Sequence, residues 1–349
     1  MSVVQEMFSK KRILPLLLVV IMLAYWKYNQ KNNHPMPLVT LSGATMGSIA
    51  YHIKYLDDEQ RNYKSEIDSI LVVFNQSLNH YDPNSELSRF NKDSTIIFNL
   101  PYFYPVLKRS KELYLATEGG FNPAVMPLVN AWGFGPEKGV VPDSVLIDSL
   151  LQIVDFGKVL YDTDKVWKID KRVQLDFSAI AKGYAVDVVI EFLKSKNIHN
   201  AFVEIGGELR CAGKNDKDLD WKIGIIDPVS EIMNQSYIAT VTLANKALAT
   251  SANNFNYIEK DGKRYSHTLS PYTGYPATHS ILSASVFSNN CMTADALATA
   301  FMATGIEKSK EILATMEGVD AFLVYSDENG SVNTFATEGI KPQVTLLEK

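Results

Sequence analysis

The chain has 349 residues, 46% of them apolar and 21% charged, with a formal net charge of −5; this is globular composition with ample material for a core, and it excludes a largely disordered chain. Lys and Arg are scattered rather than gathered into stripes, which argues against a nucleic-acid surface. The two cysteines, Cys211 and Cys291, have no Cys or His at ligand spacing and read as small buried residues, not as a disulfide or metal framework.

Taken from the N-terminus, Lys10, Lys11 and Arg12 precede an apolar run over residues 13–26. A basic start and an apolar middle are the marks of an export signal, but no A-x-A site and no lipidatable cysteine follows. The run is shorter than the roughly 20 residues of a spanning helix, although Tyr25, Trp26 and Tyr28 suit a membrane interface and Lys27 can snorkel. The expectation is an uncleaved signal anchor with its linker over residues 1–36, seated in a bacterial inner membrane. One domain over residues 37–349 would then face the periplasm, since no Pro/Gly/Ser-rich linker or charge run divides it. A short buried helix is the alternative reading of the apolar run.

After Pro37, two alternating runs flank the turn GATMG, the pattern of a β-hairpin. EIDSILVVFNQSLNHY has helical spacing, with Ile67, Ile70, Leu71, Phe74 and Leu78 on one face. Ser85 is a candidate N-cap for the short helix in DPNSELSRFN, and Gly119 with Gly120 closes a further amphipathic helix. Strands are expected at VWKID, RVQLDFS, NAFVEIGGELRCAG, WKIGIID, YIATVTLANKALATS, THSILSASVFS, AFLVYSD and VNTFATEGI. Helices are expected at GYAVDVVIEFLKSK, MTADALATAFMATG and IEKSKEILATM. Strands come in consecutive groups as well as between helices, so the class is α+β, with a mixed or antiparallel sheet core flanked by helices.

The chemistry-bearing segment is LDFSAIAKGYAVD. Asp176 at the end of an apolar run, a loop of small residues (Ser178, Ala179, Ala181) and Lys182 at the start of a helix would face an anionic ligand, because helix N-termini favour anions. A capping acid and a solvated lysine would give the same pattern. Asp295 and Thr299 stand i and i+4 on one helix face, two hard oxygens suited to Mg²⁺; a dipole-favoured acid and a threonine bonded to its own backbone is the alternative. The turns GATMGS and EIGGELRCAG are places of sharp turning or close approach of backbone to ligand. His267 lies in the Pro- and Gly-bearing segment YSHTLSPYTGYP.

In order along the chain, GATMGS, YDPNSELSRFN, FNPAVMPLVNAWGFG, LDFSAIAKGYAVD, EIGGELRCAGKN, WKIGIIDP, ALATSANN, SHTLSPYTGYP and ADALATAFMATG resemble the ApbE family, the FAD:protein FMN transferases. The resemblance runs from about residue 40 to 305. It implies a Mg²⁺-dependent transfer of FMN from FAD to a Thr or Ser of a partner protein, an acceptor subunit of a membrane electron-transfer complex, with release of AMP. It also implies roles for particular residues: Met46, Tyr81, Asn122, Pro123, Ala124, Asp176, Lys182 and Leu269 at FAD; Ala179, Asp295 and Thr299 at the metal; His267 and Lys182 in catalysis. Three positions depart from the family's usual pattern. Asn122 and Ser270 stand where it has aspartates, and Ala252 where it has glycine. Two other outcomes stay open: an FAD pyrophosphatase, in which the same site uses water as acceptor, and a non-catalytic FAD-binding protein, which Asn122 and Ser270 favour. A purely structural envelope protein would bind no flavin at all.

Overall fold

A computed structural model describes residues 19–23, 36–136, 141–231, 234–252, 257–260, 263–266, 268–277 and 280–347. The chain begins with the hairpin β1 (Leu38–Thr45) and β2 (Ile49–Leu56), whose turn holds Met46 and Gly47 at φ +48° and +88°. Then follow α1 (Lys64–Leu78), α2 (Glu86–Lys92), β3 (Thr95–Ile97), α3 (Phe103–Ala116), a 3-10 turn (Pro123–Val125) and α4 (Met126–Trp132). Next come α5 (Ser144–Leu151), β4 (Val159–Tyr161), β5 (Lys165–Lys168) and α6 (Ala181–Ser195). The strands β6 (Ala201–Ile205), β7 (Glu208–Ala212), β8 (Trp221–Ile226), β9 (Tyr237–Leu243), β10 (Ala247–Ala252), β11 (Tyr257–Lys260), β12 (Lys263–Ser266) and β13 (Ile281–Ser288) lead into α7 (Cys291–Thr304) and α8 (Ile306–Thr315). The chain closes with β14 (Asp320–Ser326), β15 (Val332–Ala336) and β16 (Val344–Leu346).

The main sheet has eight strands in the order β1-β2-β6-β7-β10-β13-β14-β15, and every strand pair among the described residues is antiparallel. The parallel part of the mixed-sheet expectation is therefore not realised. Three smaller sheets, β16-β9-β8, β3-β5-β4 and the hairpin β11-β12, complete the set.

Helices α6 and α7 pack against one another and against the main sheet, α6 over β6 and β7 and α7 over β10 and β13. In α6 the apolar stripe Val186, Val189, Ile190 and Leu193 is fully buried. Burial of this kind stabilises by roughly 1.5–3 kcal/mol per large apolar side chain. In α7, Ala294, Ala296, Ala298, Ala300 and Ala303 are all buried, and their small side chains let the helix lie close to its neighbours on several sides. The main apolar core draws on residues from Leu41 to Leu323 and includes both helices. Both cysteines are buried and free, as their isolation in the sequence implied.

One expected strand is absent. Residues 173–177 alternate as a strand would, with Val173, Leu175 and Phe177 buried, yet they join no sheet. Their backbone bonds go elsewhere. The Asn91 side chain accepts from Leu175 N (2.7 Å) and donates to Leu175 O (2.8 Å), and Asp176 N donates to Pro123 O (2.8 Å). Extended backbone needs partners, but a side-chain amide and a loop carbonyl can supply them as well as a strand. Of the N-terminal apolar run only residues 19–23 are described, a helical stretch with exposed apolar side chains. No helix among the described residues is long and apolar enough to cross a membrane.

Candidate active site

The first turns of α6 and α7 are locked together by reciprocal capping. Asp295, on α7, accepts from Gly183 N at the third position of α6 through Oδ2 (2.8 Å). Asp187, on α6, accepts from Cys291 N and Met292 N, the first two N–H groups of α7, at 2.9 Å each. Asn290 takes the next, Thr293 N, at 2.9 Å. Helix N-termini carry unpaired donors and a positive end of the dipole, so each acid stabilises the neighbour's first turn and fixes where the two helices meet. The approach is close enough that a Cβ on Gly183 would stand 2.3 Å from Cys291 O. Any larger residue there would push the helices apart. Asp176, the capping candidate from sequence, does not cap α6; its Oδ1 accepts from Ser178 N (2.7 Å) and Ser178 Oγ (2.6 Å).

Strand β7 adds two more charged groups on the face that looks at α6. Residues Gly206 and Gly207, at φ +62° and +99°, form the two-residue turn between β6 and β7, a left-handed pair of the kind that tight hairpins take and glycine tolerates. Glu208 follows at once. Its Oε1 accepts from Lys182 Nζ at 2.7 Å, while Arg210, two residues on, reaches Asp187 at 2.8 Å. The Lys182 ammonium also lies 3.9 Å from Asp295 Oδ1. Asp295 and Glu208 are only 2% and 3% exposed.

Two buried acids thus share one ammonium. Burial by itself would pull the Lys182 pKa down, but the Glu208 and Asp295 charges more than reverse this and hold it above the usual lysine value. Burial pushes both carboxyls above their ordinary range, with Lys182 opposing in each case. Glu208 Oε2 is buried with no hydrogen-bond partner among the described residues. The cluster therefore holds more negative charge than its surroundings neutralise, and a bound cation would relieve it. One carboxylate, a threonine hydroxyl and a loop carbonyl are hard oxygen donors, which fit Mg²⁺ with water or substrate oxygens completing its shell. Thr299 Oγ1 is 3.3 Å from Ser251 Oγ on β10.

This charged wall opens on a cleft of about 1280 Å³, above the roughly 300–1,000 Å³ of drug-sized pockets and fit for an elongated ligand. Of the residues singled out from sequence, Tyr81, Asn122, Pro123, Asp176, Ala179, Lys182, Leu269, Asp295 and Thr299 line it. Ala124 is fully buried behind the lining, its N–H donating to Asn122 Oδ1 at 2.9 Å. Met46 sits in the β1–β2 turn, half-buried against the core, and is not among the lining residues. His267 lies outside the described residues; Thr268 and Leu269, next in the chain, line the cleft.

Much of the remaining lining comes from loops and turns. Asn122 caps the 3-10 turn with Oδ1 and donates from Nδ2 to Val154 O (3.2 Å). That second bond needs an amide, since an aspartate in its place would set a carboxylate oxygen against a carbonyl. Tyr81 is 63% exposed, its ring centroid 4.1 Å from that of His80. His80 Nδ1 in turn is 3.5 Å from Asp176 Oδ1, which connects this loop to the segment before α6. Ser270, the other position without its acid, is buried in a turn in which its N donates to Tyr275 O and its O accepts from Gly274 N, both at 2.8 Å. Sequence reasoning missed Glu208, Asp187 and His80. The available signals were an acid directly after a Gly-Gly turn, an acid one turn into α6, and a histidine adjoining Tyr81.

The fold superposes on solved flavin-transferase structures, and the chain belongs to the ApbE family, whose model matches residues 46–323. A relative from Haemophilus influenzae named FAD:protein FMN transferase is 37% identical over 84% of this chain and 88% of its own length. Another of the same name, from Vibrio cholerae, is 35% identical over 88% and 93%. The solved structure of the flavin transferase ApbE from Vibrio cholerae superposes with a TM-score of 0.78 at 34% identity, covering 88% of this chain and 100% of that one. The apo form of the Pseudomonas stutzeri flavinyl transferase ApbE gives 0.78 at 32% identity, over 89% and 98%.

Proposed function

We propose that this chain is a Mg²⁺-dependent FAD:protein FMN transferase. The observation that carries the reading is the single cleft in which Lys182, Asp295, Thr299 and Ala179 meet Tyr81, Asn122, Pro123 and Leu269. The acceptor's Thr or Ser hydroxyl oxygen attacks the FMN phosphorus of FAD, the bond from that phosphorus to the bridging oxygen breaks, and AMP leaves with the electron pair. In such a phosphoryl transfer the protein chiefly aligns the reactants and neutralises developing charge. Lys182, held by Glu208, offers its ammonium to the pyrophosphate oxygens. Asp295, Thr299 and the Ala179 carbonyl would hold the metal. Bound Mg²⁺ supplies charge to offset the pyrophosphate and the leaving AMP. Tyr81, Asp176, Leu269 and the 122–124 turn form the FAD side of the site, Ala124 acting through its backbone, while Met46 in the β1–β2 turn lies outside that lining. His267 receives the proton of the attacking hydroxyl.

The acceptor is a subunit of a membrane electron-transfer complex. The apolar run over residues 13–26 anchors the enzyme in the inner membrane, with the catalytic domain on the periplasmic side. Basic residues before the run and aromatic residues at its end support this placement. The test is AMP release from FAD by the full-length chain with Mg²⁺, followed by chromatography. AMP that appears only with an acceptor subunit present, and in equal amount to the flavin bound to it, supports the transferase. AMP accompanied by free FMN without any acceptor identifies a pyrophosphatase instead.

A further inference from the structure

Lys182 has two carboxylates within reach and bonds to one of them. Its Nζ is 2.7 Å from Glu208 Oε1 and 3.9 Å from Asp295 Oδ1. Asp295 spends Oδ2 on Gly183 N, and its Oδ1 accepts no hydrogen bond among the described residues. An ammonium 3.9 Å from an unpaired carboxylate oxygen that faces the cleft would close on it unless another partner held it back, because charge-assisted hydrogen bonds are strong where water is scarce. Glu208 is that partner. Its place is set by the Gly206–Gly207 turn, where a Cβ on Gly206 would come 3.3 Å from Lys182 Cδ and 2.7 Å from Ile49 Cγ2. The turn, the lysine stem and the glutamate therefore pack as one unit at the start of β7.

Resting on the Mg²⁺ reading above, we infer that Glu208 is a positioning residue that holds Lys182 off Asp295 and so keeps Asp295 Oδ1 open for the cation. Without Glu208, Lys182 swings onto Asp295 and competes with the metal for the same oxygen. Glutamine can do most of the work of glutamate here, since its Oε1 still accepts from the ammonium. Alanine cannot.

The experiment is Mn²⁺ binding to the full-length chain without FAD, followed by the loss of the free Mn²⁺ resonance. Mn²⁺ serves as the probe because it shares the oxygen preference of Mg²⁺. Glu208→Ala weakens Mn²⁺ binding about 10- to 100-fold, the usual effect of losing a residue that orients a metal ligand. Glu208→Gln stays within about threefold of the wild type. The double variant Lys182→Met/Glu208→Ala regains affinity, because nothing is left to occupy Asp295. A Glu208→Gln loss as large as that of Glu208→Ala, or a double variant no better than Glu208→Ala, overturns the inference. Unchanged Mn²⁺ binding in Asp295→Asn overturns the metal reading itself. Loss in Asp295→Asn with no change in Glu208→Ala overturns only the role of Glu208.

Discussion

The two walls of the cleft are built by opposite means. On the helix wall, Lys182, Glu208 and Asp295 stand on regular elements, and the first turns of α6 and α7 are tied by Asp187 and Asp295. On the loop wall, Tyr81, Asn122 and Leu269 come from turns held by local hydrogen bonds and ring contacts, with no ion pair on any of the three among the described residues and Tyr81 largely in solvent. A reaction that depends on charge placed to within a fraction of an ångström needs the first kind of wall. Recognition of a flat, extended cofactor, and entry of a second protein, can be served by the second. The contrast predicts that helix-wall changes damage turnover and stability, whereas loop-wall changes act mainly on affinity.

The largest effect is expected at Asp295. Replacing it with alanine removes the proposed metal ligand and the cap of α6 together, and flavin transfer should fall by about 10³-fold or more, measured as FMN bound per acceptor under saturating FAD and Mg²⁺. Next comes Asp187→Asn, at a residue that is not among those lining the cleft. It leaves Arg210 only Glu191, at 3.1 Å, as its anion and weakens the cap of α7, so chemical denaturation should show a loss of about 1–2 kcal/mol. If stability is unchanged, the interlocked helices are not what holds the wall. On the loop side, Tyr81→Ala should cost about 1 kcal/mol of FAD binding, roughly fivefold in Kd, with kcat nearly unchanged. A fall in kcat without a change in affinity would erase the distinction between the walls.

The last prediction is read against pH and concerns Lys168, at the end of β5. Its Nζ donates to Asn91 O at 3.2 Å and sits 4.8 Å from the Phe90 ring centroid, and burial pulls its pKa down to about 8. The folded chain therefore releases this proton more readily than the unfolded chain, whose lysine titrates near 10.5. The destabilisation is fully present below about pH 8 and is relieved as pH rises through that value towards 10.5. Relative to Lys168→Met, the wild-type denaturation midpoint should rise over that window. A constant difference between the two would show that Lys168 is not held in a desolvated place.

Much of this was legible in the sequence because it rests on local pattern. Helical periodicity placed α1, α6 and α7, the i and i+4 spacing put Asp295 and Thr299 on one face, and Ser85 does cap α2 through Ser88 N (3.0 Å). The ordered family motifs brought together nine residues that line one cleft. What was not legible depends on partners distant in the chain. Residues 173–177 alternate as a strand does, but whether a sheet or the side chain of Asn91 satisfies their backbone is decided 84 positions away. Glu208 stands 26 positions from Lys182 and Asp187 more than a hundred from the N–H groups it caps, so neither pairing leaves a local periodic trace. The short strands β3 and β4, of three residues each, are below the length at which alternation can be read.

The most direct test of the account is to incubate the full-length chain with FAD, Mg²⁺ and a flavin-acceptor subunit, and to read in-gel flavin fluorescence together with the acceptor's mass. The account predicts a fluorescent acceptor heavier by one FMN, and loss of the label with EDTA and in Asp295→Ala. Intact FAD held tightly in the cleft, with no label on the acceptor and no AMP, would contradict it and leave a flavin-binding protein without transfer chemistry.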